Sequence, residues 1–149
     1  MALVRVSDEA MEAVNMVRTG KASFVVLEYV DDKMCEVADI GRGPMGSPQE
    51  SWESFATDEH FPEDECRLGL VNFRYVSPTD KVERQKLALV HWAPGRSSMK
   101  ARMVASFGLK GVKAQMGSGG ISCSLQAHNL PELDFENVLE KVLARCTVK

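Results

Sequence analysis

Residues Lys86 to Trp92, KLALVHW, are apolar on both sides of a strand: Leu87 and Leu89 fall on one face, Ala88, Val90 and Trp92 on the other. A strand with two apolar faces belongs in the interior of a sheet covered by helices on each side. Arg67 to Val76, RLGLVNFRYV, precedes it as a long strand, with Leu68 and Leu70 pointing one way and Val71, Phe73 and Tyr75 the other. Ser77-Pro-Thr-Asp80 makes the turn between the two. The rest of the chain therefore has to supply apolar helix faces to both sides of this pair.

It does so at regular intervals. Ser7 caps a first helix whose opening turn carries Asp8 and Glu9, and Ala10, Ala13, Val14 and Val17 form its apolar stripe before Gly20 stops it. Ser23–Val30 reads as a strand, Asp31-Asp32-Lys33 as a hairpin turn and Met34–Ile40 as a second, antiparallel strand. Glu50–Ala56 is a short helix with Trp52 and Phe55 on one side, and Thr57–Glu65 is an acidic loop interrupted by Pro62. Its His60 is expected at the solvent-exposed surface, and His91 as a satisfied core or edge histidine. After Ala93-Pro94-Gly95, Ser97 or Ser98 caps a helix over Met99–Gln115, where Gly108 and Gly111 each weaken it by about 1 kcal/mol and predict a bent or frayed C-terminal half. Gly117–Gly120 is a turn, Ile121–Ala127 a last strand, and Phe135, Val138, Leu139, Val142 and Leu143 the apolar face of a final helix, docked opposite the basic one. The expected order is α-β-β-α-β-β-α-β-α: a mixed α/β (α+β) fold with a central five-stranded sheet and helices on both faces. At 149 residues it is expected to be one domain, 1–149.

Charge is distributed unevenly. The chain carries a net charge of −3, yet Lys81–Lys113 holds eight basic residues and one acid, a local +7. Such a stretch in an acidic chain predicts a footprint for an acidic partner. No apolar run is long enough to span a bilayer, and MALVRVSDEA lacks a signal-peptide core, so a cytoplasmic location is expected. Cys35, Cys66, Cys123 and Cys146 are far apart and read as reduced, mostly buried thiols; no clustered metal ligands point to a cofactor. Gly41–Gly46 spells GxGxxG after a strand, but Pro44 inside it and Pro48 just beyond prevent a helix from starting on a pyrophosphate. It reads as a surface loop. No carboxylate pair or Ser-His-Asp or Cys-His spacing supports an enzyme, and no nucleic-acid partner is expected.

Several segments together resemble an actin-depolymerising-factor homology (ADF-H) domain of the ADF/cofilin family, most of all the coactosin-like group. EAMEAVNMVR (Glu9–Arg18) resembles the opening helix of coactosins. CRLGLVNFRYVSPTDKVERQKLALVHW (Cys66–Trp92) resembles the central hairpin, with its Arg-x-Lys before the return strand. LQAHNLPELD (Leu125–Asp134) resembles the link to the last helix. WAPGRSSMKARMVAS (Trp92–Ser106) instead resembles cofilin's Trp-Ala-Pro turn and the start of its long actin-binding helix, although with coactosin-like spacing and without cofilin's serine-bearing N-terminal tail. The loops at Gly41–Pro48 and Asp58–Glu63 are longer than in coactosins.

The resemblance implies an actin-binding protein of the cytoskeleton without catalysis or cofactor, binding the side of filaments and modulating their dynamics. The alternative is cofilin-type depolymerisation or severing with monomer binding. By position, Lys86 matches the lysine that coactosins use on filaments, with Arg84 beside it. Lys100 and Arg102 match the basic pair on cofilin's long helix. Met99 and Met103 add adaptable apolar contacts, and Lys110 and Lys113 complete the candidate set. Phosphoinositide headgroups are a further expected partner for the same cations.

Overall fold

The computed structural model describes residues 4–41, 46–116 and 121–146. The chain runs β1 (Arg5–Val6), α1 (Asp8–Arg18), β2 (Phe24–Val30), β3 (Met34–Gly41), α2 (Pro48–Phe55), β4 (Arg67–Val76), β5 (Glu83–Trp92), α3 (Met99–Met116), β6 (Cys123–Ala127), a 3-10 turn (Leu130–Leu133) and α4 (Phe135–Cys146). The sheet order is β1-β3-β2-β4-β5-β6. Pairing is antiparallel along β3-β2-β4-β5 and parallel at the two edges. The expected five strands are therefore six among the described residues. The addition, β1, spans two residues, too short for any periodicity to reveal.

Local signals act as expected. The Ser7 hydroxyl accepts from the Ala10 amide at 3.0 Å, capping α1. Asp31 and Asp32 both adopt positive φ (52° and 55°), a left-handed pair that turns the three-residue loop Asp31-Asp32-Lys33 between β2 and β3, with the Lys33 amide donating to the Val30 carbonyl at 3.1 Å. A reciprocal capping box between Ser47 and Glu50, not read in the sequence, starts α2 at Pro48 and not at the expected Glu50. The centre of the glycine motif, 42–45, lies outside the described residues. Gly41, at its start, packs against the Phe24 ring so closely that an added Cβ would sit 2.2 Å from it. Packing accounts for that glycine without a phosphate.

The alternation in β4 and β5 sorts the core into two layers. Val71, Phe73, Tyr75, Ala88, Val90 and Trp92 pack with Trp52 and Phe55 of α2 and with Phe135, Val138 and Val142 of α4. Leu68, Leu70 and Leu89 pack with α1 and with Val104, Val112 and Met116 of α3. So α4 covers the face opposite the basic helix, as the sequence predicts.

Three expectations need correction. His60 is buried, not surface-exposed: Nδ1 lies 2.8 Å from the Phe55 carbonyl and Nε2 2.7 Å from Asp39, and it packs against Phe24. The acidic loop folds back so that this ring pins it to β3. The C-terminal half of α3 remains helical to Met116. Its glycines are points of close approach: a Cβ on Gly108 would lie 2.3 Å from the Tyr29 ring, and one on Gly111 3.1 Å from the Val4 carbonyl. Finally, Cys35 and Cys66 are buried free thiols, whereas Cys123 is disulfide-bonded, because distance along the chain does not report distance in space.

Candidate functional site

Two surfaces gather the basic residues, and they are separate. The first is an arm. β2 pairs with β4 only over Leu68–Val71, and β6 pairs with β5 only over Ala88–Trp92. Beyond those limits β4 and β5 continue together as a two-stranded hairpin, from Asn72↔Leu87 out to Val76↔Glu83. Lys86 stands across from Phe73, and Arg84 across from Tyr75. Both therefore project from the face that α4 covers. Lys86 is half-buried and makes no ion pair among the described residues. Arg84 is exposed and pairs with Asp80, and its hydrogen bond, helped by the Val82 amide, holds the Asp80 carboxyl below the usual carboxylate range. Arg74 braces the arm through Glu83 at 3.0 Å and the Gly46 carbonyl at 3.1 Å. At the tip, Val76 and Val82 are each about half exposed (50% and 51%); Val76, across from Glu83, lies on the face away from Lys86 and Arg84.

The second surface is the outer face of α3. Val104, Ala105, Gly108, Val112 and Met116 point inward. Steps of 4, 7 and 3 residues put Met99, Met103, Lys110 and Lys113 on one outward stripe, about 21 Å long at 1.5 Å per residue. Met99 is 80% exposed and Met103 53%. Neither belongs to the core, so both are available for contact. The orientation of Lys110 and Lys113, uncertain from the sequence because of the two glycines, follows from the glycines' packing. Lys110 also sits 5.9 Å from the centre of the Phe107 ring.

The remaining cations differ in freedom. Lys100 is exposed and lies 3.3 Å from Asp32 of the β2–β3 turn. Arg96, equally exposed, pairs with Glu63 at 3.1 Å. Exposed pairs of this kind contribute little stability and exchange readily for another anion. Arg102 is different. Its guanidinium donates to the Gly95 carbonyl at 2.6 Å, the Ser97 carbonyl at 3.0 Å and the Ser97 hydroxyl at 3.2 Å. It ties the start of α3 to the preceding loop, and only its remaining edge can face a partner.

The +7 stretch thus does not fold into one footprint. Six strand steps of β5 separate Lys86 from Trp92, about 20 Å along the strand, and the two clusters lie on opposite faces of the sheet. Strand direction divides what the sequence places side by side. The exposure of the two valines went unread in the sequence: Val76 looks like the last residue of an apolar strand, and Val82 is a single apolar residue between Lys81 and Glu83. Among the described residues no group of histidine, cysteine or acidic side chains could hold a metal ion, and no helix is long and apolar enough to cross a membrane.

Comparison with known proteins bears on this arrangement. The family model described as cofilin/tropomyosin-type actin-binding protein matches residues 3–143. Cofilin of Ogataea parapolymorpha is 27% identical over 139 residues, covering 93% of this chain and 92% of the relative. Actin depolymerization factor 2 of Plasmodium berghei superposes with a TM-score of 0.81 over 97% of this chain and 99% of its own, at 19% identity. Human coactosin-like protein does so with a TM-score of 0.70 over 98% and 92%, at 16% identity. At those identities the two structures establish a shared fold.

Proposed function

Since the chain belongs to the cofilin/tropomyosin-type actin-binding family, we propose that it binds the side of actin filaments through the β4–β5 arm and modulates filament dynamics without catalysis. The observation that carries this reading is the arm itself. It extends past both neighbouring strands and presents Lys86 and Arg84 on one face with Val76 and Val82 at its tip. Cations along one face of the arm, with exposed valines at its tip, suit an acidic protein surface, where charge steers approach and apolar burial retains it. Lys86 is the residue expected to matter most, since no carboxylate among the described residues pairs with it.

The α3 stripe supports a second reading, cofilin-type monomer binding and severing. Met99 and Met103 offer flexible apolar contact beside Lys100, Lys110 and Lys113. The first reading uses the arm, the second the helix, and the two surfaces lie far enough apart for single substitutions to separate them.

The test is high-speed co-sedimentation with actin filaments, comparing wild type with Lys86→Ala. Filament-side binding predicts that wild type pellets without raising the unpelleted actin, and that the variant stays in the supernatant. Release of actin into the supernatant, unaffected by Lys86→Ala but lost in Lys100→Ala, would transfer the assignment to α3. Absence of binding by wild type even at low salt would overturn both.

A further inference from the structure

β6 stands at one end of the sheet, so only one of its edges is paired. The Ala93 amide donates to the Ala127 carbonyl at 3.0 Å, and Ala127 stands across from Trp92. Within a strand both backbone groups of a residue turn to the same side, and successive residues alternate. Cys123, Leu125 and Ala127 therefore bond to β5, whereas Ser124 and Gln126 turn two N–H and two C=O groups outward. Both residues are exposed, and among the described residues no hydrogen bond reaches these four groups. An open edge of this kind is a template for another strand.

The edge also lies in a groove. A cavity of about 420 Å3 runs beside it, lined by Ser106, Leu109 and Lys113 of α3, by Ser124 and Gln126, and by Lys141 of α4. A second, of about 250 Å3, shares Lys113 and Ser124 and continues it towards Ile121. α3 and α4 pack on opposite faces of the sheet, so the groove straddles the edge with a lysine on each wall. Its lining holds no carboxylate. Glu132 lies outside it: the His128 amide, donating at 2.6 Å, is the main cause that holds its carboxyl below the usual carboxylate range, with Lys141 a lesser one. His91 lies in the floor but offers no bond. Its Nδ1 is fully buried, and burial, then His128 and Lys113, lower its pKa, so the ring is neutral at pH 7.

We propose that β6 accepts an extended, acidic peptide segment of another protein as an added strand, its backbone bonded to Ser124 and Gln126 and its acidic side chains paired with Lys113 and Lys141. Successive side chains of a strand point to opposite faces, so two adjacent acids reach the two walls. A residue two positions from the first meets Leu89 and Leu109, which makes an apolar side chain the preferred neighbour. A second copy of β6 suits the edge less well, because a two-fold pairing would crowd four lysines around one seam. The edge is separate from the β4–β5 arm, and the proposal does not rest on the actin reading.

The experiment is an NMR titration of the full chain with the peptide acetyl-Val-Thr-Asp-Glu-Val-Thr-amide at constant ionic strength. The expected result is saturable binding in which the Ser124 and Gln126 amides shift and become protected from hydrogen exchange. The Leu125 and Ala127 amides, already bonded to β5, should change little. Replacing Asp-Glu by Asn-Gln in the peptide, or Lys141→Ala or Lys113→Ala in the protein, should each weaken binding roughly fivefold or more, the loss of at least one exposed charge pair. N-methylation of alternate peptide amides, on the side that meets β6, should abolish it. Shifts that rise without saturating overturn the proposal. So does an N-methylated peptide that binds as tightly as its parent, since no strand is then added, or binding that neither lysine variant alters. Protection of Ser124 and Gln126 that appears without peptide and grows with protein concentration would assign the edge to a second copy and overturn the peptide as its occupant.

Discussion

Gly108→Ala opposes two effects whose balance is set by the packing of α3. In an isolated helix the change stabilises by about 1 kcal/mol, because alanine is the better helix former. Here the new Cβ would stand 2.3 Å from Tyr29 Cε1, 3.1 Å from Tyr29 Cζ and 3.1 Å from Cys35 Sγ. Contacts that short force a ring or a helix to move. The Tyr29 ring is partly held, because its hydroxyl faces the Ala105 carbonyl at 3.4 Å on the same helix. Overpacking of this kind costs about 1–3 kcal/mol. Subtracting the propensity gain leaves a net destabilisation of about 1 kcal/mol, equivalent to a fall of roughly 2–4 °C in Tm for a chain of this length. Gly95→Ala is the control. Nothing lies within 4 Å of its added Cβ, so it should be neutral or slightly stabilising. Urea unfolding of the three proteins decides the matter. If Gly108→Ala equals or exceeds wild type, α3 does not lie against Tyr29 as described. The outward stripe of Met99, Met103, Lys110 and Lys113 would then lose its structural basis.

Four further outcomes are expected. His60→Ala removes one buried and one partly buried hydrogen bond and ring contacts with Phe24, Phe55 and Phe61, and should cost about 2–4 kcal/mol in urea unfolding; a change within about 0.5 kcal/mol, as at an ordinary surface site, would show the ring to be dispensable. Burial pushes the Cys35 thiol up to about 12, so in the native protein it should resist maleimide at pH 7 and react only on unfolding; prompt native labelling contradicts its burial. The lowered pKa of His91 means that the unfolded chain binds the extra proton more readily. Its contribution is complete above the ordinary histidine value near ~6.5 and declines as pH falls through the folded-state value, and His91→Gln should flatten that part of the stability–pH curve. Glu50, held below the usual carboxylate range by the Ser47 amide and hydroxyl, works in the same direction at lower pH: its stabilisation is present above ~4 and lost on further acidification, a slope that Glu50→Gln should reduce.

The fold was readable because its strongest signals are local or periodic. Two-sided apolar strands at β4 and β5 required helices on both faces, and the spacing of Phe135, Val138 and Val142 supplied the last of them. The cap at Ser7 and the Asp31–Asp32 turn fixed element ends through chemistry that acts within a few residues. What escaped detection depends on contacts across the chain. β1 is two residues held by β3. His60 is buried because Asp39 and the Phe55 carbonyl meet it, and nothing in the spacing of those residues announces that. Gly108 and Gly111 look like helix weaknesses until Tyr29 and Val4 are placed against them.

The same distinction governs the surface. Charge density along the sequence identified the residues but not their grouping, because β5 carries the chain from one end of the sheet to the other before α3 begins. Arg84 and Lys86 leave at one end on the α4 face, and Lys100, Lys110 and Lys113 on the other face. Arg102 shows a further limit: a basic residue at the matching position spends its guanidinium on the Gly95 and Ser97 carbonyls. An arginine used to close a loop can still favour an acidic partner through its field, but removing it also loosens the start of α3. Loss of binding in Arg102→Ala would therefore mix two causes. Lys100→Ala, which gives up only an exposed pair with Asp32, separates them. If Lys100→Ala weakens actin binding while leaving unfolding unchanged, the α3 cations act by contact. If only Arg102→Ala does so, and its Tm falls in parallel, the helix start acts as scaffold.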